Sequence, residues 1–199
     1  MASGVACGIK KGPGAGKDLA LIVSDSNAAA SGVFTRNKVK AAPVIVSMEH
    51  LKSGHARAIV ATSGNANACT GQEGLEDARR IAGAAAAILG IGRHEVLVAS
   101  TGVIGVRMPV EKVLEGLPRA AAALSRDGGA DASQAILTTD TVAKETAVEF
   151  EIGGKRVRVG GMAKGAGMIH PDLATMLVFI TTDAAISPPV LRQALTLVV

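Results

Sequence analysis

A threonine followed by a glycine, Thr101-Gly102, stands in the polar segment of residues 100–105, which reads Ser-Thr-Gly-Val-Ile-Gly. A hydroxyl and a glycine N–H at adjacent positions can together hold the negative oxygen that develops when an acyl group is attacked. The segment follows an apolar run, and loops at strand ends are where sites are built on rigid scaffolds. A plain Thr-Gly turn is the structural alternative, and the residue types alone favour it.

A second polar segment, residues 138–141, reads Thr-Thr-Asp-Thr and also follows an apolar stretch. Its hydroxyls offer hydrogen bonds to a polar substrate. The structural alternative is a capped turn, which these residue types form readily. The residues alone leave the choice between substrate contact and turn open.

The third segment ends in Ala174-Thr175, directly before the apolar residues 176–180, and a glycine-rich stretch with Lys164 lies upstream. This pattern resembles a self-processing site. If the bond between Ala174 and Thr175 is cut, Thr175 gains a free α-amine that can act as the base for its own hydroxyl. Taken alone, the local pattern favours a β-branched strand residue for Thr175 and a solvent-exposed loop lysine for Lys164.

Other motifs carry little chemistry. Residues 12–17 resemble a phosphate-binding loop, but Lys17 is followed by Asp18 rather than by a hydroxyl residue, and no strand is predicted before it. A flexible loop is the better interpretation. No metal site is predicted, because the histidines lie in separate segments without paired ligand spacing: His50, His55, His94 and His170.

The length and composition are typical of a folded chain that forms one domain or a large part of one. The 199 residues are 48% hydrophobic, which excludes disorder as a description of the whole. Aromatic residues make up only 2%, which disfavours a protein that stacks single-stranded nucleic acid. No apolar run approaches the roughly 20 residues needed to span a bilayer, so neither nucleic acid nor membrane is an expected partner.

Charge and cysteine usage favour a cytoplasmic protein. The net charge of +4 comes from scattered basic residues without a block, which indicates solvated surface. Cys7 and Cys69 lie far apart and form no Cys-x-x-Cys motif, which fits a reducing compartment. The N-terminal residues lack the charged and then apolar pattern of a signal peptide, and a cytoplasmic location is therefore expected.

The elements that must position the three polar segments alternate irregularly between strand and helix. The apolar patterning predicts helices at residues 75–89 and 110–124, with Pro118 expected to break or kink the second. A helix-like stretch covers residues 188–199. Short strands are predicted at residues 19–24, 33–34, 44–46, 58–61 and 96–99, and residues 176–180 should form a buried central strand.

The strongest local pattern is a hairpin. Residues 147–152 alternate between apolar and acidic side chains, Gly153-Gly154 makes the turn, and residues 156–159 return with alternating Arg and Val. One face of the pair can therefore match glutamates with arginines across the strands. Because strands and helices mix without a regular βαβ repeat, the predicted fold class is a layered α+β fold.

The motifs appear together in an order that resembles one family. Residues 33–44, 63–71, 100–105, 138–141, 160–168 and 173–177 carry them, and the last two are long and specific. They resemble the ornithine acetyltransferase (glutamate N-acetyltransferase) family of arginine biosynthesis. The resemblance covers nearly the whole chain.

The resemblance implies an α/β/β/α-layered, N-terminal-nucleophile-like fold. It also implies that the precursor chain cleaves itself at the Ala174–Thr175 bond. Residues 1–174 would be the α chain and residues 175–199 the start of the β chain. Thr175 would then be the nucleophile and the new N-terminus, and Thr101 with Gly102 would form the oxyanion hole. Thr138 and Lys164 would contact substrate, with Thr139 and Thr141 as close competitors of Thr138.

The same resemblance implies an activity. The enzyme would transfer acetyl from N-acetylornithine to glutamate through an acetyl-threonine intermediate, without a cofactor, and acetyl-CoA as a second donor stays open. The family's precursor is considerably longer than this chain, so activity is expected only with the β-chain half, in an α2β2 heterotetramer. A self-processing aminopeptidase or amidase and a non-catalytic structural fragment are the alternatives.

Overall fold

The computed structural model describes residues 1–11, 15–167 and 176–199 of the chain. One sheet is built from β1 (Ala2–Val5), β2 (Leu19–Ala29), β3 (His55–Asn65) and β4 (Val96–Val103), in that order. The other is built from β5 (Lys144–Ile152), β6 (Lys155–Lys164) and β7 (Leu177–Thr182), again in that order. The helices are α1 (Ala42–His50), α2 (Gly71–Leu89), α3 (Val110–Ala122), α4 (Gly129–Ala135) and α5 (Pro188–Val198).

The first sheet is buried on both faces, which explains why its strands are almost continuously apolar. On one face, Leu19, Leu21 and Val60 pack in a core with residues of α1, α2 and α3. On the other face, Ala20 and Ile22 join a second core with residues of α4, and side chains of the second sheet pack against that core. The molecule is thus layered, with α1, α2 and α3 on one face of the first sheet and α4 and the second sheet on the other, and the predicted α+β class is confirmed.

The pairing of β3 with β4 is parallel, whereas the other neighbouring strands pair antiparallel. The C-terminal ends of both strands therefore lie side by side at the same end of the first sheet. β3 ends in the polar residues after Ala61, and β4 ends in Thr101, Gly102 and Val103. This pairing places the first residues of the motif at 63–71 beside Thr101 and Gly102 of the polar segment at 100–105.

α1 replaces the strand expected at residues 44–46, so that prediction is wrong. Its Val-Ile-Val run has strand-like composition, but Pro43 stands in the first turn, where proline favours a helix start. α1 lies along β4: the Ser47 hydroxyl donates to the Val98 carbonyl at 2.7 Å and accepts from the Val98 N–H at 2.9 Å. Tertiary packing on the sheet has overridden the local β propensity.

The two helices predicted from apolar periodicity are present, whereas several short elements differ from the prediction. α2 ends at Leu89 as predicted, and α3 runs through Pro118 without a break. Residues 33–34 form no strand, whereas β1 and α4 were not predicted. β1 and α4 are short, and neither is long enough to display a clear period in the sequence.

The hairpin of β5 and β6 is confirmed in its register. Glu149 is the partner of Arg158, and Glu151 of Arg156. The Arg158 Nε lies 2.7 Å from a Glu149 carboxylate oxygen, and the Arg156 Nε lies 3.2 Å from the other. Gly153 and Gly154, both with positive φ, form the turn. Cross-strand charge pairs therefore hold one face of the hairpin, as the alternation predicted.

The opposite face of the second sheet is apolar and exposed. The expectation that residues 176–180 form a buried central strand is wrong for the described residues, because β7 lies at the sheet edge, next to β6 alone. We call this surface the outer apolar face: Val148, Phe150, Ile152, Val178 and Ile180, all exposed. No residue of α5 is buried either.

Candidate functional site

The ends of β3 and β4 bring two glycine backbones into direct contact. Gly102 has a φ of +131°, and a Cβ added to it would lie 2.3 Å from the carbonyl carbon of Gly64. Gly64 has a φ of +107° and lies close to the backbone of Lys10 in turn. Only glycine fits at Gly102, because a side chain would be strained by φ and would overlap the neighbouring main chain. Thr101 is buried while Gly102 is exposed, so bare backbone faces solvent there.

Lys164 joins the two sheets at this point. It is the last residue of β6 and only 2% exposed. Its Nζ donates to the Thr101 Oγ1 at 3.1 Å and to the Thr138 Oγ1 at 2.6 Å. The interpretation of Lys164 as a loop lysine in water is therefore wrong. One ammonium group links a strand of the first sheet, a strand of the second and the loop before β5.

Thr138 is distinguished by position from its two competitors. Thr139 and Thr141 are exposed, whereas the Thr138 hydroxyl accepts the hydrogen bond from Lys164. The structure thus brings together Thr101, Thr138 and Lys164, with Gly102 adjacent. Their roles as oxyanion hole and substrate contacts stay predictions.

Asp140 belongs to this cluster and was not singled out in the sequence. Its side chain is fully buried, with Oδ1 2.7 Å from the Lys144 Nζ and 2.8 Å from the Gly165 nitrogen. Its Oδ2 accepts from the Thr138 N–H at 3.4 Å and lies 4.0 Å from the Lys164 Nζ. The signal available in the sequence was a carboxylate within a run of threonines, two residues after Thr138.

Burial, hydrogen bonds and neighbouring charges together shift the pKa values of Asp140 and Lys164. Burial acts to raise the pKa of Asp140, but hydrogen bonds from Lys144, Gly165 and Thr138 outweigh it and lower that pKa to about 2. Burial lowers the pKa of Lys164 and Lys144 lowers it further, while Asp140 acts in the opposite direction. The site therefore holds an ionised carboxylate beside an ammonium that releases its proton more easily than usual.

The N-terminal segment is folded against the same strand ends. The buried Asp18 carboxylate accepts the backbone N–H groups of Cys7, Gly8, Ile9 and Lys10, at distances between 2.6 and 3.0 Å. Burial lowers the pKa of Lys10, and Lys164 adds to that decrease against the attraction of Asp18. The turn around Asp18 thus presents a second lysine to the neighbourhood of Lys164.

The phosphate-loop-like segment, the metal site and the membrane span that the sequence disfavoured can be compared with the described residues. Lys17 forms an ion pair with Asp131 of α4, which gives it a partner other than a phosphate. Within residues 1–11, 15–167 and 176–199, no group of three or more His, Cys, Asp or Glu side chains is arranged to hold a metal ion. None of the described helices is long and apolar enough to cross a membrane.

Ala174 and Thr175 lie outside the described residues, and so do residues 12–14 and 168–173. The nearest described contact after them is that of Leu177, the first residue of β7, which is the register partner of Lys164. Cleavage between Ala174 and Thr175, and the role of Thr175 as nucleophile, therefore stay predictions.

Solved structures share this architecture. A crystal structure named arginine biosynthesis bifunctional protein ArgJ, from Bacillus halodurans, matches 88% of this chain and 90% of its own at a TM-score of 0.80 and 41% identity. An ornithine acetyltransferase from Mycobacterium tuberculosis, solved in complex with ornithine, matches 88% and 91% at a TM-score of 0.75 and 41% identity. The two stacked sheets and their helices define a protein with the N-terminal-nucleophile-like layered fold.

The family follows from the sequence comparisons. The ArgJ family model matches residues 1–199, and the chain belongs to that family. Two curated relatives are named arginine biosynthesis bifunctional protein ArgJ. The one from Caldanaerobacter subterraneus subsp. tengcongensis is 55% identical over 194 residues, covering 98% of this chain and 47% of the relative. The one from Symbiobacterium thermophilum is 56% identical over 191 residues, covering 96% and 48%. The chain spans about half the length of these relatives.

Proposed function

We propose that this chain, together with the remaining length that its relatives carry, transfers an acetyl group from N-acetylornithine to glutamate. The observation that carries the proposal is the contact of Lys164 with the Thr101 and Thr138 hydroxyls beside the exposed backbone of Gly102. Family membership and the ornithine in the complex from Mycobacterium tuberculosis support an ornithine-type substrate.

The oxyanion would be held by Thr101 and Gly102. Lys164 donates to the Thr101 oxygen, which occupies an acceptor position of that hydroxyl and leaves the hydroxyl's own proton to be donated elsewhere. A nearby positive charge also polarises the hydroxyl and makes it a better donor. The tight approach of Gly102 to Gly64 fixes the peptide that carries the second donor, the Gly102 N–H.

Thr175 would carry the acetyl group. Its hydroxyl oxygen forms a bond to the acetyl carbonyl carbon of N-acetylornithine, and its α-amine takes the proton. The amide C–N bond then breaks, and the amine returns the proton to the leaving ornithine nitrogen. In the second half, the glutamate amine attacks the ester carbon and gives a proton to the Thr175 α-amine. The ester C–O bond breaks, the α-amine passes that proton to the Thr175 oxygen, and N-acetylglutamate leaves with the hydroxyl restored. All bonds and protons balance without metal or organic cofactor.

The same threonine would release its own amine. Its hydroxyl would attack the Ala174 carbonyl carbon, the C–N bond between Ala174 and Thr175 would break, and the freed amine would take the hydroxyl proton. Water would then hydrolyse the resulting ester, leaving residues 1–174 as the α chain with a free carboxylate. Lys164 and Thr138 would then contact substrate: two donors of the Lys164 ammonium go to hydroxyls, and a third remains for a substrate carboxylate. We further propose an α2β2 assembly in the cytoplasm, and acetyl-CoA as a second donor, which the word bifunctional in the relatives' names favours.

The deciding experiment traps the intermediate. The full-length gene product is incubated with N-acetylornithine alone, and the peptide that begins at Thr175 is examined by mass spectrometry. We expect one added acetyl group, which glutamate removes and which is absent from a Thr175→Ala variant. Rapid loss of the acetyl group to water would indicate an amidase instead. If no acetyl-peptide forms and the kinetics show a ternary complex, the covalent mechanism is wrong.

A further inference from the structure

Asp140 is a buried charged group of the cluster to which the proposed reaction assigns no part. Its carboxylate is fully buried between two lysines, Lys144 at 2.7 Å and Lys164 at 4.0 Å. A buried carboxylate is costly unless it is paired and hydrogen-bonded, so its presence needs a reason.

We propose that Asp140 is the positioning residue of this site, which fixes Lys164 against Thr138 and Thr101 and keeps its ammonium charged. The expected effect of Asp140 on turnover rests on the proposed function. The expected effect of Asp140 on the position and charge of Lys164 is independent of that function.

The geometry shows how one carboxylate can fix both partners of a hydrogen bond. Oδ2 of Asp140 accepts from the main-chain N–H of Thr138, whose hydroxyl accepts a hydrogen bond from the Lys164 ammonium. Oδ1 accepts from the N–H of Gly165, the residue directly after Lys164. The main chain on each side of the Lys164–Thr138 contact is therefore tied to the same group. Loss of the carboxylate would release both ends of that contact together.

The electrostatic part follows from which charges face Lys164. Asp140 is the anion beside it, while Lys144 at the start of β5 and Lys10 in the N-terminal segment are like charges. Lys164 has lost most of its hydration on burial, which favours the neutral amine. A neutral amine could not hold a substrate carboxylate by charge. Asp140 opposes this loss of charge, whereas Lys144 and Lys10 promote it.

The competing interpretation is that Asp140 only anchors the loop before β5. Charge distinguishes the two, because an anchor could be replaced by asparagine without changing the titration of Lys164. The test therefore uses Asp140→Asn and, as an opposing variant, Lys144→Met, both in the full-length protein. Asp25→Asn is the matched control, since Asp25 forms an exposed ion pair with Arg126.

The direct readout is the titration of Lys164, followed by NMR with lysine labelled at Cε. Removing the anion should lower the pKa of Lys164 in Asp140→Asn, and removing a like charge should raise it in Lys144→Met. In the pH profile of kcat, the alkaline limb should move to lower pH in the first variant and to higher pH in the second. Turnover of Asp140→Asn at neutral pH should fall by about 10²-fold, the size expected for a misplaced catalytic group. Asp25→Asn should change none of these.

A reciprocal measurement covers the case in which Asp140→Asn does not fold. If Asp140 raises the pKa of Lys164, then Lys164→Met must raise the pKa of Asp140, because the coupling between two sites is mutual. An unchanged Lys164 pKa in Asp140→Asn, or an unchanged Asp140 pKa in Lys164→Met, would overturn the inference. If the Lys164 pKa shifts as expected but turnover and its pH profile do not, the positioning role stands and the proposed use of Lys164 in acetyl transfer fails.

Discussion

The two sheets of the molecule differ in both sequence pattern and surroundings: β2 begins with a continuous apolar run, whereas β5 alternates apolar and charged residues. β2 of the first sheet buries Leu19 and Leu21 almost completely, whereas every residue of β5 in the second sheet is exposed, including Val148 and Phe150. Alternation in the sequence therefore identifies which side chains share a face, but not whether anything covers that face. The candidate site lies where the two sheets meet, with Thr101 from the buried one.

This contrast bears on how the site is held. The Thr101 side is supported by cores on both faces of its sheet. The Lys164 side is supported by a sheet that packs through Met162 and Phe179 and leaves its outer apolar face to solvent. Exposed apolar patches of this kind mark surfaces that are completed by something else or that aggregate. Thr101 therefore belongs to a sheet that is packed on both faces, whereas Lys164 belongs to a sheet with one face exposed.

The largest loss of activity is expected from adding a methyl group at the close approach of Gly102 to Gly64, at the ends of β4 and β3. Gly102→Ala should abolish measurable turnover of the full-length protein and lower the free energy of unfolding, because a methyl group would overlap the Gly64 backbone. The left-handed φ contributes about 1–2 kcal/mol, and the overlap adds about 1–3 kcal/mol. Urea unfolding and an acetyl-transfer assay measure the two effects.

Gly105→Ala is the matched control for this substitution. Gly105 also has a positive φ, +78°, but no atom of the described residues lies within 4 Å of an added Cβ. It should show the conformational cost without the overlap. Equal losses in both variants would mean that the contact with Gly64 is unimportant.

Thr101→Ala tests the buried side of the site. We expect kcat to fall by about 10²–10³-fold, the usual effect of losing one oxyanion donor. KM should change little, because the donor acts mainly on charge that develops in the transition state. Steady-state kinetics over a range of N-acetylornithine concentrations decide the matter. A raised KM at normal kcat would assign Thr101 to substrate binding instead.

A pair of core substitutions tests the contrast between the sheets directly. Leu21→Ala removes a side chain that is 1% exposed and should lower the free energy of unfolding by about 2–5 kcal/mol. Val148→Ala removes one that is 55% exposed and should cost less than about 0.5 kcal/mol. Both are measured by urea unfolding of the 199-residue chain. Comparable losses would show that the outer apolar face is covered in solution.

The smallest effect concerns acid stability. The pKa of Asp140 is lowered from 3.8 to about 2, so its carboxylate stabilises the folded chain above the higher value and loses that contribution as pH falls through the lower one. The free energy of unfolding of Asp140→Asn should therefore decrease less steeply between pH 4 and 2 than that of the parent. Urea midpoints at several pH values in this window provide the comparison. Parallel pH dependences would contradict the lowered pKa.

The sequence predicted the elements whose signal is local. The period of α2, the apolar run of β4 and the alternating hairpin are each contained in a short window, and the structure confirms them. α1 was mistaken for a strand because its Val-Ile-Val run is strand-like, although Pro43 favours a helix start and the helix packs on β4. Local patterns were therefore reliable where tertiary contacts agreed with them.

The candidate site was predictable only as separate pieces. Thr101, Thr138 and Lys164 were found through motifs, but the hydrogen bonds that join them need both sheets to be stacked. Asp140 was missed because a carboxylate in a polar run is ordinarily solvated, and its burial depends on Lys144 and the chain at Gly165. Contacts between residues distant in sequence could not be read from spacing.

The packing of α1 on β4 has a consequence for how the first sheet is bounded. β4 is an edge strand, and an edge with free N–H and C=O groups is a template on which a strand from another chain can be added. Ser47 occupies both main-chain groups of Val98, and the His50 Nδ1–H donates to the Val96 carbonyl at 2.7 Å. Two successive outward-facing residues of the edge are thereby blocked by a helix. The first half of the strand that leads to Thr101 and Gly102 is thus protected from pairing with another chain at Val96 and Val98.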